Sequence, residues 1–172
     1  MVKGKQMNIS DVIKDRIDEA GARYWANDNI SEFISEDEKW ELIDELEEKF
    51  RGVLSSLIID QSEDPNSMGT ARRLAKMYVN ETMAGRYDPQ PPVTAFPNDD
   101  ADTRYGGMIV VRSEIKSMCS HHHQAIRGTV SIAYIASEDG KVVGLSKLNR
   151  IVEQFGRRGA IQEQLTVAIH NA

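Results

Sequence analysis

The sequence predicts an α+β fold, in which N-terminal helices are followed by a small antiparallel sheet with helices packed on one face. Three observations predict this class. Apolar residues recur at helical spacing in the first half, apolar and charged residues alternate from Met108 onward, and helical spacing returns after Ser146. The chain has 172 residues, 40% of them apolar, and can bury one sizeable core. We expect an N-terminal helical portion, residues 1–60, and a second portion, residues 61–172.

Two helices are predicted in the N-terminal portion. Between residues 10 and 24, apolar side chains are spaced four, three and four residues apart, which is the spacing of one helical face. Ser35 and Glu38 form the Ser-x-x-Glu pattern of a capping box, which marks a helix start. An apolar stripe with acidic residues between its members follows at Ile43, Leu46, Phe50, Val53 and Leu57.

A third helix is predicted over residues 71–82, with Asn66 or Ser67 as its N-cap and Gly85 as its stop. Residues 86–107 then contain four prolines, several aspartates and no periodicity. A stretch of this length without regular structure is often a functional loop or an oligomer contact. We therefore expect this segment to be irregular.

Strand signals begin in MIVVRSEIKSM, residues 108–118, where apolar and charged residues alternate as in a half-buried strand. A second strand is predicted over residues 129–136. An Asp-Gly turn signal follows at Asp139-Gly140, and a short strand is predicted at residues 141–144. We expect these last two strands to pair antiparallel.

The C-terminal segment predicts two further helices. Ser146 is the expected N-cap of the first, and Gly159 ends it. The second begins near Ala160. Lys147 and Arg150 lie at the start of the first helix, where free backbone N–H groups favour an anion; spacing alone equally allows two solvated cations.

Charge is unevenly distributed along the chain, whose net charge is −6. Residues 1–64 carry 8 basic and 17 acidic side chains, residues 65–140 carry 8 and 8, and residues 141–172 carry 5 and 2. Broad nucleic-acid binding needs extended basic patches, and a chain this acidic is a poor candidate for that function. One cysteine excludes an intrachain disulfide, and no apolar run approaches the roughly 20 residues that cross a bilayer. We expect a cytoplasmic protein that binds neither nucleic acid nor membrane.

The stretch SMCSHHH holds the single cysteine, Cys119, and three of the four histidines. Cys119 and His122 have a Cys-x-x-His spacing, which can bring a thiolate and an imidazole onto one ion. Two ligands do not hold zinc, and a catalytic site takes three protein ligands. From the residues alone, Cys119 is equally a metal ligand, a nucleophile or a buried hydrophobe.

Several motifs together resemble the GTP cyclohydrolase I family. They are Cys119-Ser120-His121-His122, the run GLSKLNRIV at residues 144–152, the run QEQLT at residues 162–166 and, upstream, the run TARRLAKMY at residues 70–78. The order and spacing of the motifs from Cys119 onward match over about fifty residues, and with the upstream run the resemblance covers the chain from about Ile34 to its end. The resemblance implies a T-fold and a homodecameric ring with active sites between subunits.

The same resemblance implies the roles of individual residues. Cys119 and His122 would be zinc ligands, and His121 and His122 the catalytic histidines, with His121 moving the proton. Gln162 and Glu163 would hold the guanine edge of GTP. The triphosphate would meet Ser146, Lys147 and Arg150, together with Arg73 from a neighbouring subunit.

The implied reaction is the zinc-dependent opening of the guanine imidazole ring of GTP. Its products are formate and 7,8-dihydroneopterin triphosphate, which feeds the synthesis of folate, biopterin and deazaguanines. The Glu163 carboxylate would accept hydrogen bonds from guanine N1–H and from the 2-amino group. Adenine lacks this pair of donors, so we expect ATP to be a poor substrate.

The sequence departs from the family pattern at three places. Ser120 replaces the usual Glu, Ala71-Arg72 replace Pro-His, and the family's His-x-Cys segment, which supplies the third zinc ligand, does not occur. We expect a truncated chain, rather than a natural variant that has lost its metal, and we expect these residues to bind zinc weakly and to catalyse poorly. Two alternatives stay open: a T-fold nitrile reductase that acts on a deazaguanine with Cys119 as nucleophile, and a non-catalytic assembly or binding protein.

Overall fold

The structure, a computed structural model, describes residues 7–99, 102, 104–136 and 140–172. The chain divides into two compact units, Met1–Pro89 and Gln90–Ala172. Helices build the first unit, and every strand of the described residues lies in the second. The prediction of an α+β fold is confirmed, and the arrangement is consistent with a T-fold. The division predicted at residue 60 falls between two helices of the first unit.

The first unit is built on a core of branched aliphatic side chains. Its helical segments are α1 (Ile9–Glu19), a 3₁₀ turn (Ser31–Phe33), α2 (Glu36–Ser56), α3 (Thr70–Met77), a π-helical turn (Tyr78–Thr82) and α4 (Ala84–Tyr87). The core residues are Ile13, Ile17, Ile30, Ile34, Leu42, Ile43, Ala75 and Val79. Full burial of one such Ile or Leu stabilises the fold by about 1.5–3 kcal/mol, which makes packing the main reason these helices persist.

The predicted capping box at the start of α2 is confirmed. Ser35 Oγ accepts from the Glu38 backbone N–H at 3.2 Å, and Glu38 Oε2 accepts from the Ser35 N–H at 2.9 Å. Arg16 of α1 donates to both carboxylate oxygens of Glu38, at 2.9 and 2.5 Å. The predicted stripe is partly wrong: Val53 and Leu57 are exposed, because the buried face of the last turns runs through Leu54 instead.

The Arg16–Glu38 contact predicts that the free energy of unfolding decreases in acid. The Arg16 hydrogen bond, assisted by the Ser35 backbone, lowers the pKa of Glu38 from 4.5 to about 2. Because the folded pKa is depressed, the contribution is present above pH 4.5 and is lost as the pH falls toward about 2. We expect Glu38→Gln to flatten the pH dependence of urea-unfolding midpoints in that window. Glu41→Gln, on an exposed carboxylate of the same helix, should leave it unchanged.

The C-terminus of α2 carries a Schellman motif with an isoleucine where glycine is usual. Ile59 N donates to Leu54 O at 3.1 Å and Ile58 N to Ser55 O at 3.0 Å. Ile58 has φ 61° and is 94% exposed. A β-branched residue therefore occupies the left-handed region, and no burial of its side chain offsets the strain.

Replacing Ile58 by Gly should therefore stabilise the first unit by about 1 kcal/mol, since glycine occupies this region without steric cost. Chemical denaturation measures the change. Leu57→Gly is the matched control, because Leu57 is exposed but has φ −80°. There glycine only adds chain entropy to the unfolded state and should destabilise; equal signs for the two variants would contradict the strain.

Two helix ends differ from their predictions. The structure ends α1 at Glu19 rather than near residue 24, because Gly21 takes φ 61° and closes a C-terminal turn with its N–H on Asp18 O at 3.0 Å. The N-cap of α3 is Gly69 rather than Asn66 or Ser67. Those two residues are instead held by the Asp64 carboxylate in a separate turn. The predicted stop, Gly85, lies inside α4.

The second unit contains a mixed sheet and a separate pair of short strands. Its elements are β1 (Ala95–Pro97), β2 (Met108–Cys119), β3 (Ala125–Ile135), β4 (Lys141–Val143), α5 (Leu145–Gly156), β5 (Gly159–Ala160) and α6 (Gln162–His170). The three-stranded sheet has the order β3-β2-β5, with β2 antiparallel to β3 and parallel to β5. Its packed face joins Ile115 to Val152, Ala160 and Leu165.

The predicted strand from residue 108 is confirmed, but the predicted pairing is wrong. The strand at 141–143 pairs with β1, with Phe96 opposite Val142, whereas β3 pairs with β2 over eleven residue pairs. The Asp-Gly turn signal predicts pairing only between neighbouring segments, whereas the hydrogen bonds of β3 are made along the long β2–β3 ladder. Asp139 itself lies outside the described residues. The segment predicted as irregular, 86–107, contains β1 and the end of α4. Similarly, α5 is capped by Gly144 rather than Ser146.

No helix in the described part of the chain is long and apolar enough to span a membrane.

Candidate functional site

The cysteine and histidine cluster forms the loop between β2 and β3. Cys119 N donates to Gln124 O at 2.8 Å, and His123 N donates to Cys119 O at 2.8 Å. His123 takes φ 54°, which turns the chain back into β3. Because these bonds close the loop tightly, His121 and His122 are presented on one short turn directly after Cys119.

Within this loop the side chains suit chemistry more than packing. Cys119 is half-buried, while His121 and His122 are exposed, with ring centroids 6.3 Å apart and planes at 86°. Thiolate and imidazole are donors that zinc prefers. Among the residues that the structure describes, however, no three potential ligands form a group that could hold a metal ion. The donor types fit zinc, and their number falls one short of a catalytic site.

A two-residue strand joins this loop to the start of α6. In β5, Ala160 pairs with Cys119, and Ser120 N donates to Ala160 O at 3.2 Å. Ala160 is completely buried, and only Ile161 separates it from the first residue of α6. β5 is not predictable from the sequence, because two small residues give no periodic signal. Its effect is to set the N-terminus of α6 beside the Cys119 loop.

Gln162 and Glu163 occupy the first turn of α6, and both are exposed. The free N–H groups of a helix start favour a carboxylate at this position. Gln162 also lines a cavity of about 760 Å³ between the inner face of β3 and helices α5 and α6. Other walls of the cavity are formed by Val130, Ile132, Leu148, Leu165 and Ile169. The cavity is thus mostly apolar, and its lining also includes polar side chains such as Gln162, Thr166 and His170.

Ser146, Lys147 and Arg150 lie on the first turns of α5. Lys147 N donates to Gly144 O at 2.8 Å, and the N-cap, Gly144, offers no side chain to the free N–H groups. Neither Lys147 nor Arg150 forms an ion pair with a residue that the structure describes. A helix start of this kind, with two uncommitted cations, is suited to a phosphate.

The Cys119 loop follows the C-terminal end of β2, whereas Asn149, next to the α5 cations, contacts the middle of that strand. Ser113 Oγ donates to Asn149 Oδ1 at 2.5 Å, and near the other end of α5 a Cβ on Gly156 would lie 2.9 Å from Lys116 O. The helix therefore runs along β2 in the strand's own direction. Cys119 lies six residues beyond Ser113, which is about 20 Å of extended chain. Within one chain, the loop and the start of α6 come together, but the α5 cations do not join them.

Arg73 belongs to the first unit, on α3. Its guanidinium donates to Met68 O at 2.9 Å and to Thr70 Oγ1 at 2.7 Å. These bonds hold the side chain over the start of its own helix.

Comparisons with known proteins point in one direction. A family model described as GTP cyclohydrolase I matches residues 46–172. A GTP cyclohydrolase 1 of Flavobacterium johnsoniae is 38% identical over 138 residues, which are 79% of this chain and 58% of the relative. One from Aeromonas salmonicida is 41% identical over 128 residues, 73% and 56%, and one from Shewanella sp. W3-18-1 is 37% identical over 140 residues, 79% and 60%. The chain thus spans little more than half the length of these relatives.

Proposed function

Since this chain belongs to the GTP cyclohydrolase I family, we propose that it takes part in the hydrolytic opening of the imidazole ring of GTP. C8 of the guanine leaves as formate, and the remaining atoms close to 7,8-dihydroneopterin triphosphate. That product serves routes to folates, biopterin or deazaguanines. The single cysteine fits a cytoplasmic setting.

One observation carries the proposal: β5 joins the Cys119 loop to the first turn of α6. Glu163, which can bind the edge of a purine, is thereby placed near the loop whose residues would support hydrolysis at C8. Glu163 accepts from guanine N1–H and the 2-amino group, and Gln162 adds a bond at the cavity rim. A purine gripped in this way presents its imidazole side to the loop.

His121 is the proton-transfer group in this proposal. As C8 becomes tetrahedral, charge develops on N7, and the exposed imidazole of His121 can supply the proton. General acid–base help of this kind contributes roughly 10²–10⁴-fold.

Cys119 and His122 are the two residues of this chain that would hold a zinc ion. When bound there, zinc would make hydroxide available at neutral pH by lowering the pKa of water. Within the described residues of one chain, no third donor joins Cys119 and His122. The loop closure by His123 N and Cys119 O keeps the two donors on one turn whether or not that third ligand is in place.

Phosphate binding requires a second copy of the chain in this proposal. More than about 20 Å separates the start of α5 from Cys119, farther than guanine C8 lies from the γ-phosphate of an extended nucleotide. Ser146, Lys147 and Arg150 of one subunit would therefore serve the guanine held by its neighbour, and Arg73 would come from a third. A closed ring, which we propose to be a homodecamer, supplies every site in this way.

A second candidate is favoured by the missing third ligand: a T-fold nitrile reductase in which Cys119 attacks a deazaguanine nitrile. One experiment separates the two. The protein is incubated with GTP and zinc, then oxidised and assayed for pterin fluorescence. In parallel it receives a deazaguanine nitrile and reduced nicotinamide cofactor. Pterin without nicotinamide oxidation supports the cyclohydrolase, and the reverse result overturns it.

A further inference from the structure

Helix α5 is fixed to β2 at two points that share one helical face. Asn149 and Gly156 are seven residues apart, which is almost two whole turns. At Gly156 the backbone of the helix approaches so closely that an added Cβ would lie 2.9 Å from Lys116 O and 3.1 Å from Ile115 Cγ1. At Asn149, whose side chain is exposed, the contact is a solvent-exposed hydrogen bond from Ser113 Oγ, 2.5 Å long.

Ser113 is an unexpected residue at its position. It lies on the face of β2 that packs against the helices, between Val111 and Ile115, and both of these are buried. An apolar side chain would continue this face and bury more area. The hydroxyl at Ser113 instead offers a directional bond to the helix, and Asn149 accepts it.

We propose that the Ser113–Asn149 hydrogen bond positions the first turns of α5 for phosphate, and that Asn149 is a positioning residue. The proposal rests on the function proposed above for Ser146, Lys147 and Arg150. Asn149 immediately precedes Arg150 and lies two residues after Lys147, so it acts on the turn that carries both cations.

The contact at Asn149 lies well away from the close contact at Gly156. From Gly156, the seven residues of helix back to Asn149 make a lever of about 10 Å. Buried Leu148 and Val152 also hold the helix against the sheet. The hydrogen bond adds a directional contact at the first turns, because it requires Asn149 to face Ser113.

The test compares Ser113→Val with Ser113→Thr, two variants of the same shape of which only threonine keeps the hydroxyl. The probe is inorganic tripolyphosphate, measured by calorimetry, since it reports on the α5 cations without guanine or metal. We expect Ser113→Val to weaken binding roughly three- to tenfold, the factor of one ordinary hydrogen bond, and Ser113→Thr to bind like the parent. Both should keep the parent's thermal midpoint or exceed it, because the strand favours β-branched residues.

Asn149→Ala should reproduce the Ser113→Val result, and the double variant should be no weaker than either single one. Parental affinity in Ser113→Val, or equal weakening in Ser113→Thr, overturns the positioning role while leaving the phosphate site intact. A parent that does not bind tripolyphosphate overturns the phosphate assignment itself, and the positioning role falls with it.

Discussion

Replacing Glu163 by Gln should weaken GTP binding by about a hundredfold or more. In the proposed function the Glu163 carboxylate accepts two hydrogen bonds from the guanine edge, and each charge-assisted bond contributes about 1.5–3 kcal/mol. A glutamine amide presents one acceptor and one donor, so its NH₂ group opposes a guanine donor. Equilibrium binding of GTP measures the loss.

Inosine triphosphate sharpens this prediction, because it keeps N1–H and lacks the 2-amino group. The parent should prefer GTP to inosine triphosphate, and Glu163→Gln should lose that preference. Glu153→Gln removes the same charge from an exposed position on α5 and should bind both nucleotides like the parent. If Glu163→Gln still preferred GTP to inosine triphosphate, Glu163 would not be the residue that recognises the guanine 2-amino group.

Replacing Cys119 by Ala should abolish most zinc affinity. The loop offers one thiolate and the imidazole of His122, and loss of the thiolate leaves a single donor. Even groups that only support a metal ligand are worth ten- to a hundredfold in affinity, so loss of a ligand should exceed about a hundredfold. Competition with a chromogenic chelator measures it.

His123→Asn is the matched control for this variant. His123 lies on the same loop, but its φ of 54° belongs to the turn, and asparagine tolerates that conformation. We expect parental zinc affinity in His123→Asn. A loss as large as in Cys119→Ala would mean that His123, rather than His122, completes the pair.

Local signals in the sequence predicted local structure well. The capping box at Ser35 and Glu38 is present, because both of its hydrogen bonds lie within one turn. Likewise, the alternation from Met108 predicted β2, because one face of that strand is buried against α5. The loop at Cys119 also follows a strand, as predicted.

Features that depend on distant partners were not predictable in this way. β4 pairs with β1 across a long connection, so the turn signal near it could not identify its partner. β5 has two residues, and only its pairing with Cys119 makes it a strand. The α5 cations lie away from the Cys119 loop because of the direction in which α5 runs along β2. The spacing of residues in the sequence does not determine that direction. Motif resemblance supplied candidate residues, and the structure adds which of them lie together.

Release of formate from GTP labelled at C8 tests the central claim most directly. The account predicts labelled formate from the zinc-loaded, oligomeric protein, and none above background from Cys119→Ala. Formate release that persists in Cys119→Ala, or a zinc-loaded ring that binds GTP and never releases the label, would contradict it.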